Sequence, residues 1–230
     1  MRKRCLWRHC HPGSFLSNGR ESFNKAKQHR PFGAGPRYAR PLLAALCIKE
    51  KLELSYGLSG FDFSGFWEES EYADEKYTSS PVTASVVSNV EKKLGFKLPS
   101  AYIELAKIRN GGCPKLTCHR TNEEASWAGD HIAINGIYSI GYDKTYSLCG
   151  DGFNSQFWQD EWGYPEIGIY FADCPSAGHD MLALDYRDCG PQGEPKVVHV
   201  DQECDYKITL VANDFSSFIR GLQDENAFEG

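Results

Sequence analysis

The stretch LGFKLPSAYIELAKIRNGG, residues 94–112, decides how the rest of the chain is read. Just before it, Val86, Val87, Val90 and Leu94 fall on one face of a helix, and Thr83 stands where a cap belongs. Gly95 then supplies the left-handed residue that ends such a helix without a side-chain clash. Leu98-Pro99-Ser100 restarts the chain, since proline suits a first helical position and serine a cap. Tyr102, Ile103, Leu105, Ala106 and Ile108 give a second helix its apolar side, and Asn110-Gly111-Gly112 stops it. Two consecutive helices are therefore expected.

Downstream of Gly112 the apolar period changes from helical to two. Ile132–Ile140, Ile167–Ala172, Met181–Tyr186 and Val197–Asp201 read as strands, and the loop Cys174–His179 suits a hairpin between two of them. Asn213 or Asp214 caps a last helix carrying Phe215, Phe218, Ile219 and Leu222. Helices first, then a mixed, mostly antiparallel sheet, then a helix describe a single α+β domain. Upstream, Phe61–Trp67 forms an aromatic cluster whose Phe63, Phe66 and Trp67 are expected to pack on the domain, ahead of the acidic run Glu68–Glu75.

The first 58 residues differ in character. They hold 12 Lys and Arg against three acids, Glu21, Glu50 and Glu53, whereas the remaining 13 basic residues face 28 acids. The first segment is thus +9 and residues 59–230 are −15, which together give the net charge of −6. Residues 1–58 show neither helical nor strand periodicity and read as a basic disordered extension. A nucleic-acid-touching arm, a transit peptide and a zinc site from Cys5, His9, Cys10 and His11 are the functional readings. A misplaced start is the other: Met181 is the one methionine after Met1, and Leu58 stands as a candidate true beginning. The expected organisation is this extension over 1–58, an aromatic-acidic lead-in over 59–82, the domain over 83–222 and a tail over 223–230. Removing residues 1–58 is expected to leave the domain intact.

No run of about 18 apolar residues occurs, so no membrane span is expected. The longest apolar stretch, Leu42–Ile48, lies too far from Met1 for a signal peptide. Nine cysteines, an odd number without regular spacing, point to a reducing cytoplasm rather than a disulfide framework.

Candidate chemistry is sparse. Cys113, Cys118 and His119 supply three metal ligands at best, so no metal and no cofactor are expected. His179 and Asp180 with Asp185 can be sketched as a catalytic set, but positions 180 and 185 on one strand point to opposite faces. No enzyme is expected, and Asn110-Gly-Gly and Gly150-Asp-Gly152 lack the lysine of a phosphate loop. The segment Phe153–Tyr164 stands apart, because Phe157, Trp158, Trp162 and Tyr164 crowd beside Asp160 and Glu161. Such aromatics are either core or a recognition surface. As a surface, they are expected to contact a protein partner together with Trp127 and the Pro175–His179 loop, which carries His179.

Read together, several pieces carry a family resemblance. Leu94–Tyr102 closing at Asn110-Gly-Gly112, then Gly163-Tyr-Pro, Gly168-Ile-Tyr-Phe, Gly178-His-Asp, Leu184-Asp-Tyr186, Pro195–Asp201 and Phe215–Leu222, in that order, resemble the Smi/Knr-like domain of the SUKH superfamily. The resemblance covers about Phe61 to Leu222. It implies an α+β fold and a non-catalytic protein-binding role. Many bacterial members resemble immunity proteins that neutralise a cognate toxin, often a nuclease, and fungal relatives act as cell-wall and signalling regulators. The −15 of residues 59–230 would suit a basic nuclease-type toxin. An immunity-type role is the leading expectation, with a regulatory or scaffold module as the alternative. A protein partner is expected, rather than nucleic acid or a membrane.

Overall fold

The computed structural model describes residues 57–228. The basic segment, the Leu42–Ile48 stretch and the Cys5, His9, Cys10, His11 and Cys47 side chains lie outside the described residues, apart from Gly57 and Leu58. Five helices are described: α1 (Glu71–Lys76), α2 (Ala84–Leu94), α3 (Ser100–Ile108), α4 (Ser155–Trp162) and α5 (Phe215–Gly221). The strands are β1 (Cys118–Arg120), β2 (His131–Ala133), β3 (Gly136–Ile137), β4 (Gly168–Asp173), β5 (Asp180–Asp185), β6 (Lys196–Asp201), β7 (Lys207–Ala212) and β8 (Leu222–Gln223).

The local chemistry sets these boundaries. The Thr83 side chain accepts from Val86 N–H to start α2, and Gly95, at φ 80°, ends it. Asp214 caps α5 through Ser217 N–H. Asn154 accepts from Phe157 N–H to start α4, which Gly163 closes at φ 72°. The aromatic-acidic segment is therefore a helix, so its side chains distribute at a period of 3.6 between core and solvent.

Strands β3-β4-β5-β6-β7 form one sheet in that order, and β2-β1-β8 a smaller one. Every strand pair in them is antiparallel. The expected mixed character reduces to one isolated parallel bridge between Ser139 and Ser147. The Cys174–His179 segment does join two paired strands, β4 and β5.

All six residues of β4 and of β5 are buried, because both faces of the sheet are covered. On one side Phe171 meets Tyr102 of α3 and Phe215 and Phe218 of α5, with Tyr102 stacked on Phe215 at 4.6 Å. Its neighbour Tyr170 points the other way, where its ring meets Tyr164 at 5.2 Å and its N–H bonds Ser155 Oγ on α4. Gly168 permits the tight β4–β5 approach: at φ 152°, a Cβ there would sit 2.0 Å from the Leu184 carbonyl oxygen.

The aromatic lead-in joins the same core. Phe66 and Trp67 are buried, and Trp67 bridges to Pro114. Leu58 is buried too, its N–H donating to Glu104 at 2.7 Å, while the Gly57 carbonyl accepts from Ser216 Oγ at 2.8 Å. Against the expectation that residues 1–58 can be removed without effect, a chain shortened to begin at Ser59 is expected to lose about 2 kcal/mol relative to one beginning at Gly57, the worth of one buried leucine. Urea unfolding of the two reads the difference, and equal stabilities would show that Leu58 contributes nothing.

Candidate functional site

The loop between β1 and β2 belongs to the small sheet but is tied to the end of the large one. Ser126 N–H donates to Asp201 Oδ2 at 2.8 Å, and the Trp127 indole N–H donates to Asp180 Oδ2 at 2.9 Å. Asp180 opens β5 and Asp201 closes β6, directly opposite each other in the ladder. These two carboxylates hold Trp127 against the β4–β5 hairpin while leaving the residue 45% exposed.

A cleft of about 390 Å³ lies between them, lined by Ser126, Trp127, Pro175, Ser176, His179, Asp180 and Glu203. The hairpin wall is held from below. Gly178, at φ 98°, would place a Cβ 2.9 Å from the Trp158 ring, so only glycine lets this loop lie on the indole. Tyr164 Oη donates to the Gly178 carbonyl at 2.7 Å. His179 stands exposed at the rim, with Nδ1 2.8 Å from Glu203 Oε1 and 3.0 Å from Gln202 Oε1.

The structure divides the residues expected at a partner surface. Trp127 and His179 meet at the cleft, and Trp162, half-buried, sits edge-on to His179 at 6.1 Å. Asp160 and Glu161 are exposed on α4, and Phe157 is half-buried against Phe153 and Trp158. Trp158 and Tyr164 are corrected to core: they are 4% and 2% exposed, and the Trp158 indole N–H donates to Tyr138 Oη at 3.2 Å. Trp158 lies on the inward face of α4 and Tyr164 two residues past its end, and both serve by supporting the hairpin loop.

Asp180 and Asp185 lie at opposite ends of β5, and Asp185 is paired with Arg187 at 2.7 Å. The residue that sequence reasoning missed is His199. Its Nε2 lies 2.7 Å from Asp180 Oδ2, with both side chains buried. Leu182 is its direct partner across the ladder, so Asp180 is its diagonal neighbour on the same face. Burial works to raise the Asp180 carboxyl, but hydrogen bonds involving His199, Ser176 and Trp127 outweigh it and hold the group below the usual carboxylate range. Burial and the nearby Asp180, Asp173 and Asp201 carboxylates push the Cys174 thiol well above its ordinary range, the reverse of an activated nucleophile.

A family model described as the SMI1 / KNR4 family (SUKH-1) matches residues 81–221. The chain belongs to this family. No curated protein and no solved structure matches it. The match begins at Pro81, yet the SUKH-1 core of this chain is completed from ahead of it: Tyr77 donates its hydroxyl to both oxygens of Asp173 at 2.9 and 3.0 Å. The cleft lies wholly inside the matched span. Among the described residues of this SUKH-1 chain, no helix is long and apolar enough to cross a membrane.

Proposed function

We propose that this SUKH-1 domain is a non-catalytic, protein-binding, immunity-type protein that neutralises a cognate toxin by direct contact. The observation that carries the reading is Trp127, a large aromatic held exposed by a buried carboxylate at the mouth of a cleft. An indole fixed in advance loses little conformational freedom on binding, which suits a hot spot. Glu203 lines the same cleft and Asp160 and Glu161 are exposed on α4, and the −15 of residues 59–230 favours a basic partner such as a nuclease. His179 and Trp162 complete the contact surface. The described cysteines are all free, which fits action in a reducing cytoplasm.

The test is protection of cells that express a candidate toxin domain drawn from the genes that neighbour this one. The wild-type chain is expected to restore growth. Trp127→Ala is expected to weaken binding of that domain by about 30-fold, equivalent to roughly 2 kcal/mol, and to cost about 1 kcal/mol of stability through the hydrogen bond lost to buried Asp180. Unaltered affinity in this variant would remove the cleft from the reading, and failure of the wild type to protect would sink the neutralising role.

A further inference from the structure

Three potential metal ligands come together beneath the cleft from separate strands. Asp180 opens β5, His199 lies diagonally across from it on β6, and Cys174 directly follows the last residue of β4. Their ligand atoms all lie within 4.8 Å of one another, and all three residues are buried. Spacing along the chain conceals this set, because the members arrive through strand pairing; Cys113, Cys118 and His119 do not converge in this way.

Two further observations point to a cation. Asp180 Oδ1 is buried without a hydrogen-bond partner, although Oδ2 receives Trp127 and faces His199. A proton shared between His199 and Oδ2 leaves Oδ1 unsatisfied, and a buried carboxylate oxygen left so is costly. In addition, Cys174 directly follows Asp173 and lies within ligand distance of Asp180, so negative charge gathers beside its thiol, and a divalent ion would offset it.

We propose that Cys174, Asp180 and His199 bind one Zn²⁺ ion, with the fourth coordination position facing the cleft. Sulfur and imidazole donors select zinc over magnesium or calcium, and a carboxylate oxygen is a third ligand type that zinc accepts in open, three-ligand sites. The Trp127 indole then acts in the manner of an outer-shell partner, fixing the carboxylate so that Oδ1 is free for the ion. Asp180 lines the cleft, which provides the entry path. Metal binding displaces the thiol proton of Cys174 and the proton held between His199 Nε2 and Asp180 Oδ2, freeing that nitrogen for the ion, and couples the ion to the seating of the hairpin and of the Trp127 loop. The proposal stands apart from the toxin-neutralising reading, since it needs no partner.

The experiment uses the full chain, stripped with chelator under reducing conditions and titrated with Co²⁺ and then Zn²⁺. One equivalent of Co²⁺ with a thiolate-to-cobalt charge-transfer band is expected, displaced by Zn²⁺, together with a Zn²⁺-dependent rise in melting temperature. Cys174→Ala should abolish the band. His199→Gln and Asp180→Asn should weaken binding by about tenfold or more. Cys118→Ala and the double variant Cys5→Ala/Cys10→Ala should retain it. If Cys174→Ala does not fold, the other two ligand variants decide: weakened binding upholds the site and wild-type binding overturns it. Absence of the band in the wild type, its survival in folded Cys174→Ala, or its loss in Cys5→Ala/Cys10→Ala also overturns the proposal.

Discussion

Replacing Trp158 with alanine is expected to cost roughly 3–5 kcal/mol of folding stability, the usual range for deleting a buried aromatic. Trp158 is almost wholly buried, its ring meets Phe153, Phe157, Trp162 and Tyr164, and its N–H is used by Tyr138. Removing it leaves a cavity beneath Gly178 and strips one wall from the hairpin that bears His179. The loss should appear in urea unfolding as a lower midpoint with little change in slope. Any loss of partner binding should follow the fraction unfolded and disappear in conditions that restore the fold. Trp127→Ala is the milder case for stability, since the residue is exposed and the loss is mainly its hydrogen bond to Asp180. A Trp158 variant as stable as the wild type would show that α4 does not support the loop.

That pair of tryptophans shows what the sequence discloses about this domain. Helices α2 and α3 are legible because caps, apolar spacing and terminating glycines agree. The strands β4, β5 and β6 are legible as apolar runs, although burial on both faces makes them continuous rather than alternating. Helix α4 is concealed because it spans only eight residues, so Phe157, Trp158 and Trp162 cover too few turns to establish a period, yet Asn154 and Gly163 mark its ends as clearly as Thr83 and Gly95 mark those of α2. Strand β7 carries β-branched Ile208, Thr209 and Val211, a signal that an apolar count without attention to residue type passes over.

The cleft was legible only in fragments. Trp127 and the Pro175–His179 loop stand out by composition, but nothing local states that Asp180 ties them together. The Asp180–His199 contact depends on the register of β5 against β6, and the ten residues between those strands leave that register open in the sequence. Cross-strand diagonals of this kind are where buried polar chemistry escapes a reading made along the chain.

The second large effect concerns Asp173, at the end of β4. Burial pushes its carboxyl up to about 6 from an ordinary 3.8, although Asn135 and Tyr77 donate to it and pull the other way. The folded state therefore keeps a proton that the unfolded chain releases above about pH 4. Stability from this group is present below the unfolded value of 3.8 and is lost as pH rises through about 6, after which the loss is constant. At about 1.4 kcal/mol per unit, the swing between about pH 4 and pH 7.5 is roughly 2–3 kcal/mol. Glu194, pushed up to about 7 by burial, acts in the same direction, while Asp180 and Asp185, held low, act in the opposite one. Those groups are common to the wild type and Asp173→Asn, so the difference between the two chains isolates Asp173. Asparagine cannot ionise, and it replaces an acceptor facing Asn135 with a donor, a cost that does not depend on pH. Relative to Asp173→Asn, the wild type should thus become less stable by roughly 2–3 kcal/mol on going from about pH 4 to pH 7.5. Urea unfolding of both chains across this range reads the gap. A gap independent of pH would mean that Asp173 titrates alike in the folded and unfolded states, and a gap that changes in the other direction would mean that its hydrogen bonds outweigh its burial.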